Sequence, residues 1–150
     1  MNVAIISGSF DPITNGHMHI IKQASETFNS VIVVVATNPN KKYEFSIEQR
    51  KQMVFDAILE YQLTNVTIEI LDDTELTVEF AESHHANILV RGIRNSSDLE
   101  YEQDLMMLNH DVEEMCNHKM QTYFVLAPKT LSSISSTMIR NLLNNKKHIN

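Results

Sequence analysis

With one cysteine, Cys116, the chain can form neither an intrachain disulfide nor a zinc site built on several thiolates. The residues around Cys116 read as a helix, and no His–Asn pattern near it suggests a catalytic thiol. Glycine and proline are scarce, three of each, and no stretch rich in Gly, Pro or Ser reads as a linker. Internal repeats and low-complexity tracts are absent. The longest apolar run, Val31 to Ala36, falls far short of the roughly 20 residues of a membrane-spanning helix. The amino terminus has no basic segment leading to an apolar core and a cleavage site, so a cytoplasmic protein is expected. Positive charge is also in deficit: 12 Lys and Arg stand against 19 Asp and Glu, a formal net charge of −7. A surface that coats nucleic acid would be basic, which argues against that partner. An anionic small ligand stays compatible, because local potential decides its binding. The 150 residues suit a single domain, 1–150, large enough to bury roughly two-thirds of the unfolded chain's surface.

Short β-branched runs alternate with amphipathic stretches. Val3 to Ile6 and Val31 to Ala36 read as strands buried on both faces. Between them, Gly16 to Phe28 has helical spacing, with Ile20, Ile21, Ala24 and Phe28 on one side. Asn38-Pro39-Asn40 is a turn. Ser46 followed by Gln49 is a capping-box pattern opening a helix whose apolar side holds Ile47, Met53 or Val54, Ala57 and Ile58. Strands are expected over Val66 to Ile70, Ile88 to Val90 and Tyr123 to Leu126. Helices are expected over Leu76 to Ser83, Asp98 to Cys116 and Ser136 to Leu143. This β-α-β-α order predicts an α/β fold: a Rossmann-like, doubly wound parallel sheet with helices on both faces.

Such a sheet binds ligands at the carboxyl ends of its strands. Four polar segments fall there. The first is Gly8 to His17, which holds two of the three glycines and leads into a helix start. Glycine permits close backbone approach, and a helix amino terminus offers N–H groups to an anion. Ser9 adds a hydroxyl, and His17 can donate to a phosphate oxygen. The second is Asn38 to Lys42, where Lys41 can reach a phosphate as a mobile point charge. The third is Arg91-Gly92-Ile93-Arg94, read as a turn gripping phosphate through forked guanidinium bonds. The fourth is Leu131 to Arg140, where hydroxyls run into a helix start. Each has a plainer reading, respectively a capped turn, a solvated lysine pair, a surface ion pair with Asp98 or Glu100, and N-capping by Ser135 or Ser136. His17 and His19 lie on different helix faces and form no metal pair. His84-His85, His110 and His118 carry no recognisable ligand spacing.

Gly8-Ser9-Phe10-Asp11-Pro12 with Thr14-Asn15-Gly16-His17 resembles the T/H-x-G-H signature of the nucleotidyltransferase superfamily, related to class I aminoacyl-tRNA synthetases. Arg91 to Glu102 resembles the R-G-[LI]-R-x3-D-[FYL]-E-Y-E block of phosphopantetheine adenylyltransferases. Leu131 to Arg140 is similar to the superfamily's I-S-S motif, which contacts the β and γ phosphates of ATP. The resemblance runs from Val3 to about Leu143. It implies an enzyme that joins ATP and 4′-phosphopantetheine into dephospho-coenzyme A and pyrophosphate, in coenzyme A biosynthesis. It implies catalytic roles for His17, Lys41 and Arg91, and contacts to phosphopantetheine by Ser9, Lys41, Thr77 and Arg91. It implies contacts to ATP by Ser9, Phe10, His17, Gly92, Ile93, Arg94, Glu102, Leu131, Ser132, Ser133, Ile134, Ser135, Ser136 and Thr137. Mg²⁺-dependent activity, a homohexamer and feedback by coenzyme A follow from the same resemblance. Ser7 stands where many members have Pro, Ser9 where many have Thr, and Leu131 where an aromatic is frequent. The alternatives are a nicotinate-mononucleotide adenylyltransferase, which shares the first and last motifs but not the Arg91 to Glu102 block, and a non-catalytic nucleotide or coenzyme A sensor on the same fold.

Overall fold

A computed structural model describes residues 1–71, 78–93, 100 and 120–126. In chain order the elements are β1 (Val3–Gly8), α1 (Asn15–Thr27), β2 (Ser30–Ala36), α2 (Ile47–Glu60), β3 (Val66–Leu71), α3 (Val78–Ser83), β4 (Ile88–Ile93) and β5 (Gln121–Leu126). The helices expected over 98–116 and 136–143 fall outside the described residues, Glu100 excepted.

The five strands form one sheet in the order β3-β2-β1-β4-β5, and all four neighbour pairs are parallel. Right-handed crossovers explain the layering. The chain moves outward from β1 to β2 to β3, which puts α1 and α2 on one face. It then returns past β1 to β4, which puts α3 on the other. Side-chain alternation follows. Ala4, Ile6, Val31, Val33, Val35, Ile88 and Val90 pack with Met18, Ile21 and Ala24 of α1 and with Val54 and Ile58 of α2. Ile5, Ile32, Val34 and Leu89 point the other way, toward Ala81 and Ala86. Burial on both faces is why β2 reads as an unbroken apolar run and not as an alternating one.

The reversal of direction at β1 places the topological switch point between β1 and β4. Their ladder is also the shortest: two paired positions, Ala4 with Ile88 and Ile5 with Leu89, against six in each of the other pairs. Both lie toward the amino ends, so the seam is unladdered where the two strands' carboxyl ends meet the first turn.

The helix starts are fixed by local chemistry. Ser46 caps α2, its hydroxyl accepting from the Gln49 N–H at 3.2 Å while the Gln49 side chain accepts from the Ser46 N–H at 2.9 Å. Thr14 caps α1 in the same way, with His17 in the place of Gln49.

Ile21 holds α1 to the sheet and is wholly buried. Ile21→Ala is expected to cost about 2–5 kcal/mol of stability, read from urea unfolding. A loss below about 1 kcal/mol would contradict this packing.

Candidate functional site

The segment between β1 and α1 is built around Phe10. Its φ of 47° lies in the left-handed region, uncommon for a side chain of this size. The ring is buried, at 2 % exposure, and lies where a Cβ on Gly8 would come within 3.3 Å of it. Gly8 therefore makes room for Phe10 as well as for any ligand. The same ring meets His17 edge-on, 5.0 Å between centroids. With its side chain buried, what Phe10 offers a ligand is main chain. Ser9 beside it is exposed.

His17 belongs to the helix start itself. The Thr14 hydroxyl accepts from the His17 N–H at 3.3 Å, and the Thr14 N–H donates to His17 Nδ1 at 3.0 Å. An Nδ1 that accepts a backbone proton carries none of its own, so the neutral ring holds its proton on Nε2. The cap that ends one backbone problem thus selects the tautomer that donates from Nε2. The first turn of α1 contains no acidic residue, so the positive end of the helix is not neutralised there.

The loop after β2 carries Lys41, exposed. Its turn closes through the Lys41 N–H to Asn38 O at 3.0 Å and the Asn40 N–H to Asn38 Oδ1 at 2.9 Å. Two buried charged groups missed as site features in the sequence hold this loop. The Asp11 carboxylate, 0 % exposed, accepts from the N–H groups of Glu44 and Phe45, both at 2.9 Å. The Arg50 guanidinium, 1 % exposed, donates to Ser9 O at 2.9 Å, Ala36 O at 3.0 Å and Thr37 Oγ1 at 2.6 Å. A signal for Arg50 was present: it lies at helical spacing between Ile47 and Val54, a cation on the apolar stripe of α2. Asp11 gave no such signal, since an aspartate before a proline is an ordinary turn residue.

At the fourth strand the sequence reading needs correction. The strand does not stop at Val90 to leave a turn at Arg91. It runs through Ile93, with Arg91, Gly92 and Ile93 paired to Phe124, Val125 and Leu126 of β5. Pairing with a parallel neighbour satisfies the backbone that a turn would have exposed. Arg91 is half-buried, and its Nη1 donates to Ser7 Oγ across the β1–β4 seam at 3.3 Å. A Cβ on Gly92 would meet Ile20 Cδ1 of α1, the tip of a flexible side chain that would have to shift. Ile93 is buried, so its side chain faces packing. Thr77, Arg94, Glu102 and Leu131 to Thr137 lie outside the described residues.

The described site thus brings Ser9, Phe10 and His17 together at the end of β1, ties the Lys41 loop to them, and places Arg91 across the seam. It offers cationic and N–H donors. Among the described residues no three His, Cys, Asp or Glu side chains form a group able to hold a metal ion, and both Asp11 oxygens accept backbone N–H bonds. No helix among the described residues is long and apolar enough to cross a membrane.

This is the architecture of a Rossmann-like α/β domain. A solved structure of nicotinic acid mononucleotide adenylyltransferase from Plasmodium falciparum, complexed with NaAD, shares the fold, with a TM-score of 0.66 over 93 % of this chain and 82 % of that one, at 19 % identity. Residues 5–142 match the cytidylyltransferase-like family. A phosphopantetheine adenylyltransferase from Haemophilus ducreyi is 40 % identical over 97 % of this chain and 86 % of its own. One from Actinobacillus pleuropneumoniae is 42 % identical over 92 % of this chain and 82 % of its own. The chain belongs to this nucleotidyltransferase family and, within it, to the phosphopantetheine adenylyltransferases.

The tautomer is open to direct test. Two-bond ¹⁵N–¹H spectra of ring-labelled protein, above the pH where His17 titrates, are expected to show the proton on Nε2. A signal pattern with the proton on Nδ1 would break the capping geometry described here.

Proposed function

We propose that this chain transfers the adenylyl group of ATP to 4′-phosphopantetheine, giving dephospho-coenzyme A and pyrophosphate. The observation that carries the reading is that two donors lie where the central strands end: His17, at a helix start with no acidic residue in its first turn, and Arg91, bonded to Ser7 across the switch-point seam. The family to which the chain belongs supplies the substrates.

The chemistry fits these residue types. The nucleophile is a phosphate whose second pKa is about 6, so it is largely ionised at neutral pH. No general base and no covalent intermediate are required. The oxygen of the acceptor phosphate attacks the α-phosphorus in line, and the bond to the bridging oxygen of pyrophosphate breaks. Negative charge grows on the α-phosphoryl oxygens and the leaving group. Nε2–H of His17, the amino end of α1 and Lys41 are the groups that stabilise it, the His17 ring oriented by Thr14 and the Lys41 backbone fixed by its turn. Arg91 and Ser9 hold the acceptor's phosphate, with Thr77 further along the pantetheine arm. Arg94, Glu102 and Leu131 to Thr137 complete the ATP site, to which Ser9, Phe10, Gly92 and Ile93 also contribute. Phe10 and Ile93, whose side chains are buried, do so through main chain.

Mg²⁺ enters this reading as part of the MgATP substrate, held by phosphate oxygens, because that ion commonly binds through substrate phosphates rather than an all-protein cage. The homohexamer belongs to the same proposal. Its support is the family resemblance together with Phe55 and Leu59, exposed at i, i+4 on α2. Coenzyme A shares the product's framework, which supports feedback by occupancy of this site. A cytoplasmic location agrees with ATP as a substrate.

Purified protein with ATP, Mg²⁺ and 4′-phosphopantetheine is expected to release pyrophosphate, and nicotinate mononucleotide is expected to support little release. Turnover with the mononucleotide alone would overturn the substrate assignment. Saturable coenzyme A binding without turnover of either would point to a sensor. His17→Ala is expected to lower kcat by roughly two to three orders of magnitude, the scale for losing a preorganised donor. A near-normal kcat would remove His17 from the mechanism.

A further inference from the structure

Lys41 gains its role only if its loop is held against the first turn, because it is exposed on a turn of its own and the reacting phosphates belong near Ser9 and His17. The loop is anchored at both ends by side chains that touch no proposed substrate. At its start, Arg50 reaches three acceptors from two segments: Ser9 O in the first turn, and Ala36 O and Thr37 Oγ1 where β2 ends. Cζ of the same guanidinium lies over the Tyr43 ring, 4.2 Å from its centroid. Tyr43 Oη in turn accepts from the Asn38 N–H at 2.8 Å. Asn38 O accepts from the Lys41 N–H. A continuous chain of contacts therefore runs from Ser9 through Arg50, Tyr43 and Asn38 to Lys41. At the far end of the loop, Asp11 holds the N–H groups of Glu44 and Phe45.

We propose that Arg50 is a positioning residue: through Tyr43 and Asn38 it sets where Lys41 sits relative to the first turn, with Asp11 fixing the loop's other end. A planar guanidinium donates along fixed directions and stacks at the same time, so it can define the relation of three segments at once. A lysine ammonium at the same place keeps the charge but has neither the fork nor the stacking face. Arg50 is almost fully buried on a helix face that otherwise packs on apolar side chains; the three bonds of Nη1 and Nη2 offset the cost of taking the cation out of water, while Nε has no partner among the described residues. Such a group makes a stiff link, and stiffness at Lys41 is what charge stabilisation in the transition state requires. The inference rests on the reading of Lys41 as a group that stabilises the transition state.

The test is a set of double-mutant cycles on the full-length protein. Arg50→Lys and Tyr43→Phe are each made alone and in a Lys41→Ala background, with kcat and KM for ATP referred to folded protein measured by circular dichroism. Arg50→Lys is expected to lower kcat by about 10- to 100-fold, the scale for misplacing a catalytic group by an ångström. Tyr43→Phe, which removes only the Oη acceptor, is expected to lower it by a few-fold. KM for ATP should shift by less than about 3-fold in both. In the Lys41→Ala background neither change is expected to lower kcat by more than about 2-fold, because the group they position is gone. Equal loss in both backgrounds, or an unchanged kcat in folded Arg50→Lys, overturns the inference and leaves Lys41 in place. A near-normal kcat for Lys41→Ala alone removes Lys41 from the mechanism and this inference with it. If Arg50→Lys does not fold, the Tyr43→Phe cycle decides by the same comparison.

Discussion

A parallel sheet whose central strands are buried on both faces offers a polar ligand the edge where those strands end and the helices begin. The rest of the molecule follows from that constraint. The sheet buries Ala4, Ile6, Val33 and Val90 on one side and Ile5, Val34 and Leu89 on the other, so neither face has room for chemistry. The direction reverses at β1, and the β1–β4 ladder ends after two pairs. The first turn sits over that seam, with Arg91 reaching Ser7 across it.

Within the turn, structural and chemical demands are met by the same atoms. The Thr14 cap begins α1 and also takes Nδ1 of His17, leaving the donor on the other ring nitrogen. Phe10 fills space over Gly8 and also flanks the His17 ring. Asp11 and Arg50 are buried charges whose bonds go mainly to backbone, and those bonds join segments distant in sequence: 11 to 44 and 45, 50 to 9, 36 and 37. Burying a charge is costly, and Arg50 keeps Nε without a partner among the described residues, so these bonds fix geometry more than they add stability.

Among the described residues the order of strands and helices was legible because β2 is a β-branched run and α1 and α2 carry apolar residues at helical spacing, with a Ser–Gln box before α2. The placement of Ser9, His17 and Lys41 at one sheet edge was legible for the same reason, since parallel order alone puts successive strand ends together. Three features were not. The strand end at Ile93 depends on β5, a partner distant in sequence, and the Arg-Gly pair there reads locally as a turn. The side chain that a Cβ at position 92 would displace, Ile20, lies on a different element. The tie between Asp11 and the amides of 44 and 45 is a tertiary contact that no local pattern encodes.

The central claim is a single in-line transfer in which His17, Lys41 and Arg91 hold and stabilise phosphates and no protein atom is adenylated. Stereochemistry at the α-phosphorus tests it most directly. With ATP carrying sulfur in one configuration at that phosphorus, and 4′-phosphopantetheine as acceptor, the thio-substituted dephospho-coenzyme A is expected with inverted configuration. Retention would mean two displacements through a covalent adenylyl-enzyme and would contradict the account.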